Sequence, residues 1–189
     1  EDFHATFRRN VLGIGNVLSL FSPWKDPIYL TRVWCIFELF TAISFPDDCN
    51  LSIEMPRQTR EDLNKFFATE DDPNIVTNEI YKVLGKTAIQ EAEASVEDDK
   101  INIMRLVEEG NGGFVRVNNK VNDYLRGWFD QLLKELYVEL KEKIEKNDYR
   151  GFFIGENEQD EENEEEIKNQ ISRCLGNIGY VFYGNLDLE

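Results

Sequence analysis

"NVLSLFSPWKDPIYLTRVWCIFELFTAISFPDDCNLSIEMP", Asn16 to Pro56, is the stretch whose reading decides the fold. It opens with "NVLSLFS", Asn16–Ser22, a short apolar run bounded by glycine and proline. Such a run reads as a strand buried on both faces, as in a parallel sheet. "SPWKDP", Ser22–Pro27, is a turn-rich loop. Thr31 offers an N-cap for a helix running to Ser44, just before Pro46. "FPDDCN" is a loop, and "LSIEMP", Leu51–Pro56, alternates as a second strand. A strand–helix–strand unit of this kind has parallel strands joined by a right-handed crossover. The expected class is therefore α/β.

Outward from this unit the chain reads as helices. Before it, "DFHATFRRNVLGIG" places Phe3, Phe7 and Val11 on one helical face, and Gly13 and Gly15 break the helix. After it, "TREDLNKFFATE" gathers Leu63, Phe66 and Phe67. "PNIVTNEIYKVLGK" starts at Pro73 and carries Ile75, Ile80 and Val83. "SVEDDKINIMRLVEEG" opens on a capping-box pattern, Ser95 with Asp98, and stops at Gly110. A long amphipathic helix follows, from Phe114 or Val117 to Lys146. Its expected packing seam is Val117, Val121, Tyr124, Trp128, Leu132, Leu136 and Leu140.

Composition narrows the function. The chain has 189 residues and a net charge of −16, of which the run "ENEQDEENEEE", Glu156–Glu166, carries eight negative charges. The remainder is still acidic, so a nucleic-acid duplex or an anionic membrane surface is repelled. No apolar run reaches membrane-spanning length, and the first residues are not a signal peptide. Cys35, Cys49 and Cys174 lack metal-ligand spacing, and so sparse and odd a set fits the reducing cytoplasm. His4 is the single histidine. It has no partner in view, so a surface or packing role is expected. Position 1 is Glu, and the expectation is a piece of a longer protein.

Several motifs fail on inspection. "GIGNVL" lacks the third glycine of a dinucleotide fingerprint and precedes a strand instead of following one. "GKT", Gly85–Thr87, has Ile80 where a phosphate loop needs glycine. "GNGG" is a C-cap and turn. Asp47–Asp48 and Asp71–Asp72 lack calcium-loop spacing.

Glu38 is the one charge between Val33 and Ile43. Its neighbours three and four positions away are Trp34, Cys35, Thr41 and Ala42, and Arg32 lies on another part of the helix, so no local cation serves it. A buried, unpaired carboxylate costs several kcal/mol out of a domain's roughly 5–15 kcal/mol. Two resolutions stay open. One is a tertiary salt bridge, to a residue such as Arg60 or Lys65, or partial exposure at the helix flank. The other is a ligand cleft beyond the carboxyl end of the strand, about 10 Å from the helix start and bordered by Ser22 and Trp24.

These residues carry a resemblance. "LSLFSPW" followed by "RVWCIFELFTAI" resembles the third strand and following helix of Toll/interleukin-1 receptor (TIR) domains of plant type, with Ser22, Trp34, Cys35, Glu38 and Leu39 on the motif. The resemblance implies a flavodoxin-like parallel sheet. It also implies that in enzymatic members Glu38 is the catalytic carboxylate that cleaves the nicotinamide–ribose bond of NAD, with Ser22, Trp24 and Trp34 lining the cleft. No resident cofactor and no metal is implied; NAD would be substrate. The chain also resembles proteins of algae and other unicellular eukaryotes that join such a segment to tetratricopeptide repeats of kinesin-light-chain type. The matching residues are Gly112, Gly113, Phe114, Asn118, Leu125, Arg126 and Trp128. Many TIR domains act by assembling with one another.

The expected organisation is a partial TIR-like α/β segment at 1–92, a helical extension at 93–150, an acidic linker at 151–168 and the start of a helical repeat at 169–189. The last helix is expected to bury a face without a partner. The expected function is an intracellular signalling or scaffold module that binds other proteins or itself. NAD cleavage by the full-length parent is the alternative.

Overall fold

The computed structural model describes residues 3–85, 87–110, 112–146 and 164–184. It is mostly helical, with one two-stranded parallel sheet. In chain order the elements are α1 (Phe3–Ile14), β1 (Asn16–Leu20), α2 (Val33–Ser44), β2 (Asn50–Glu54), α3 (Arg57–Thr69), α4 (Pro73–Leu84), α5 (Glu97–Glu109), α6 (Gly113–Lys146) and α7 (Glu164–Gly184). Short 3-10 turns occupy Ile28–Thr31 and Ile89–Glu91. The chain forms two compact units, each built from two separated segments. The first takes Glu1–Pro56 and Val83–Gly127, and the second takes Arg57–Lys82 and Trp128–Glu189.

In the first unit the expected strand–helix–strand core is present, with β1 and β2 parallel and Val17 opposite Leu51. α1 runs through Gly13 and ends one residue later, at Ile14. The break is at Gly15, whose φ of 72° suits a glycine cap. Its N–H donates to the Val11 carbonyl, and its own carbonyl accepts from Asn50 to start the sheet. Val11, Ala42 and Cys49 form a core that Phe7, Leu12, Val17 and Leu51 close.

β1 is not buried on both faces, contrary to its apolar sequence. Ser19 is buried, while Leu18 and Leu20 are 60% and 53% exposed. In a parallel pair, residues in register share a face, so Val17, Ser19, Leu51 and Ile53 face inward. Asn16, Leu18, Leu20, Asn50, Ser52 and Glu54 form the outer face.

α2 ends at Ser44 as expected, but its start differs. Arg32 holds the N-cap position without a side-chain cap, and the Thr31 hydroxyl donates back to the Ile28 carbonyl. Ser95 likewise does not cap α5; Val96 holds that place, and the Ser95 hydroxyl accepts from the Arg32 guanidinium at 2.7 Å. The strand-like neighbour of Arg32 is Glu93, whose N–H donates to Thr31 and whose carbonyl accepts from Val33. The start of α2 is therefore held by the segment before α5, not by its own sequence. Asn118 of α6 secures that segment: its side-chain oxygen accepts from the Ile89 N–H and its amide donates to Gln90.

The described residues of the second unit are helical, and α4 and α6 each run across the boundary between the units, after Lys82 and after Gly127. In α4, Val76 and Ile80 of the second unit and Val83 of the first are buried, and Ile75 is 45% exposed. Positions 76, 80 and 83 share one face, and position 75 sits about 100° away from 76. The seam of α6 differs from the expected one after Val121: Leu125 and Phe129 are buried where Tyr124 and Trp128 are only half-buried. Successive steps of four residues advance a helical stripe by about 40° each, so the two choices were equivalent until the neighbours were known. Leu132, Leu133, Leu136 and Leu140 continue the buried face.

α7 has a partner, contrary to expectation. It packs on α3 and buries Ile171, Cys174, Ile178 and Val181. α3 ends at Thr69 without glycine, leaving its last carbonyls without helical partners. α7 supplies those partners. Asn177 donates to the Phe67 and Glu70 carbonyls at 2.8 and 2.9 Å, and Arg173 donates to Ala68 at 2.9 Å while pairing with Asp71 at 2.6 Å. Of the expected acidic linker, residues 151–163 lie outside the described residues, and 164–168 open α7. Among the described residues no helix is long and apolar enough to cross a membrane.

Candidate functional site

Glu38 projects from the middle of α2 and is half-buried. Its Oε2 accepts a hydrogen bond from the Tyr29 hydroxyl at 3.1 Å. Tyr29 belongs to the 3-10 turn Ile28–Thr31, which the loop from β1 folds against the start of α2. The turn is itself anchored at Ser22, whose carbonyl accepts from Ile28 at 3.2 Å. The carboxylate is therefore met by a neutral phenol, and no salt bridge to it occurs among the described residues. Arg60, one of the cations expected to serve it, pairs with Glu139 at 3.4 Å.

This arrangement shapes its neighbours. Burial first, and the Glu38 charge second, push the Tyr29 phenol far above its ordinary range, so it remains a donor at any working pH. Cys35, one helical turn before Glu38, has its thiol pushed up by burial and then by the same carboxylate, with Arg32 opposing. Tyr29, Cys35 and Glu38 thus form one electrostatic cluster in which Cys35 is held as a thiol, a poor nucleophile.

The other expected site residues divide. Trp34 lies one turn before Glu38 on α2. Its ring packs 5.0 Å from Phe7, and its Nε1 donates to Asp99 of α5 at 3.1 Å. Trp24 is only 4% exposed, with the Lys25 ammonium 5.1 Å from its ring. Both tryptophans serve the packing of the first unit.

The first unit carries at least two clefts. One, of about 330 Å³, is lined by residues including Asp26, Thr31, Glu91 and Glu93. The other, of about 250 Å³, lies against Arg8, Phe37, Phe40, Phe45 and the start of α6. Neither is lined by Glu38, Ser22, Trp24 or Trp34. Among the described residues no group of three or more His, Cys, Asp or Glu side chains could hold a metal ion.

The sequence reading missed Tyr29, Ser95 and Asp99 as partners of α2. Nothing in linear spacing marks them, since Tyr29 reaches Glu38 by a turn and Asp99 reaches Trp34 across 65 positions. Comparison with family models finds no match, and comparisons with curated proteins and with solved structures find none.

Proposed function

We propose that this chain is a protein-interaction module that assembles through its sheet, built on a TIR-like strand–helix–strand core with helical, tetratricopeptide-like packing downstream. The observation that carries this is the open outer face and edge of β1. Parallel sheets are ordinarily covered on both faces, yet Leu18 and Leu20 stand exposed on a two-stranded sheet. Gly15 and Phe21 bond to β2 through their backbones. By the alternation of a strand, Asn16, Leu18 and Leu20 direct their N–H and C=O groups to the opposite edge, where no strand pairs among the described residues. An apolar edge of this kind is a template for strand addition.

The favoured occupant is a second copy. The outer face is neutral apart from Glu54, in a chain whose net charge is −16, so two such faces meet without the repulsion the rest of the surface would impose. Sedimentation velocity tests this. A concentration-dependent dimer is expected, and Leu18→Lys with Leu20→Lys should abolish it while leaving circular dichroism unchanged. A chain that stays monomeric at high micromolar concentration, or a lysine variant that dimerises equally, refutes the proposal.

A second reading is NAD cleavage by the full-length parent. It is supported by Glu38 being half-exposed, one turn after Trp34, and without an ion pair among the described residues. Intact protein should consume NAD, and Glu38→Gln should stop this without unfolding. Equal consumption by the variant removes Glu38 from the chemistry.

A further inference from the structure

We propose that the cleft beside the start of α6 is a binding site for a small ligand with a flat apolar body and one anionic group. Its floor is aromatic, made of Phe37 and Phe40 from α2 and Phe45 just after it, with Leu106, Val107 and Val117 as walls. Among the described residues its charged lining is Arg8 and Arg116, and no Asp or Glu lines it. That is unusual in a chain with 37 acidic and 21 basic residues; the other cleft has Asp26, Glu91 and Glu93 on its walls.

Each cation is held in place. The Arg8 guanidinium lies 3.9 Å from the centroid of the Phe45 ring. A guanidinium on a ring face keeps its in-plane donors for another acceptor. Lys120 stands at the margin, 5.9 Å from the Phe40 ring, and donates to Ser44, another lining residue, at 3.2 Å. Arg116 lies 6.0 Å from the same ring. Its stem packs against Gly112, where an added Cβ would meet the Arg116 Cβ at 2.8 Å. Gly112, with φ of 90°, therefore gives Arg116 its course.

α6 adds to the same field. It is 34 residues long and begins at Gly113, a lining residue, so the positive end of its dipole opens on the cleft. A volume of about 250 Å³ suits a small molecule and not a macromolecule. The aromatic floor takes a flat ring, and the cations fix the anion at the rim.

The test is titration calorimetry with 1-naphthoate and 1-naphthyl phosphate, with neutral 1-naphthol and inorganic phosphate as controls. At least one naphthyl anion should bind about tenfold more tightly than either control, and which one does so distinguishes carboxylate from phosphate. Arg8→Gln and Arg116→Gln, both at exposed side chains, should each weaken that binding about tenfold or more, the loss of one charge-assisted hydrogen bond. Amide shifts on binding should centre on Phe45, Gly110 and Gly113. Equal binding of 1-naphthol, unchanged binding by the double glutamine variant, shifts centred elsewhere, or no binding of either anion overturns the proposal.

Discussion

Replacing Asn177 by leucine removes the polar atoms that close the end of α3 while keeping the branched shape of the side chain. Asn177 is 2% exposed and donates to two carbonyls, those of Phe67 and Glu70. Two neutral hydrogen bonds are worth about 0.5–1.5 kcal/mol each, and a buried carbonyl left without a donor adds about 1–3 kcal/mol. The Phe67 bond is the buried one of the two, so only that acceptor incurs the full penalty. The expected loss is about 2–6 kcal/mol, a large fraction of the roughly 5–15 kcal/mol that holds a domain together. Urea unfolding followed by circular dichroism measures it, and amide exchange should show α7 and the last turn of α3 losing protection together. Arg173→Met should cost less, because its partner Asp71 is 82% exposed and such a pair is screened. A loss below about 0.5 kcal/mol for Asn177→Leu, with α7 still protected, would refute the view that α7 caps α3.

Two further outcomes follow from the first unit. Because burial and Glu38 raise the Cys35 pKa, its thiolate is scarce at pH 8 and alkylation should be slow, accelerating only above the ordinary thiol range. Glu38→Gln removes the second of those causes, so the pKa falls and alkylation at pH 8, followed by mass spectrometry, should speed up. Gly112→Ala should cost about 1–3 kcal/mol, since φ of 90° strains any L side chain. The new methyl also displaces Arg116, so thermal melting should fall together with naphthyl-anion affinity.

What the sequence disclosed was whatever is written locally. An apolar run bounded by glycine and proline located β1, alternation located β2, hydrophobic spacing located the helices, and Pro46 marked the end of α2. What it concealed depends on distant neighbours. Leu18 and Leu20 look like core residues because a parallel strand is expected to have cover on both sides. Ser95 carries good capping chemistry, yet a partner 63 positions away claims its hydroxyl, while the Thr31 hydroxyl is taken locally by the Ile28 carbonyl of its own turn. Ile75 and Val76 are adjacent apolar residues, and only the packed face decides between them. At the candidate site Glu38 was visible as an anomaly, but the phenol that answers it was not, since a tyrosine in a loop carries no positional signature.

The partnership of α3 with α7 has a consequence for how the chain is made. The Phe67 carbonyl waits for a side chain 110 positions further along. At roughly 5–20 residues per second of synthesis, α3 emerges about 5–22 seconds before the helix that covers it. During that interval Leu63 and Phe67, both buried in the finished fold, stand open to any passing apolar surface. A nascent chain of this design therefore carries an uncovered apolar face until α7 has emerged.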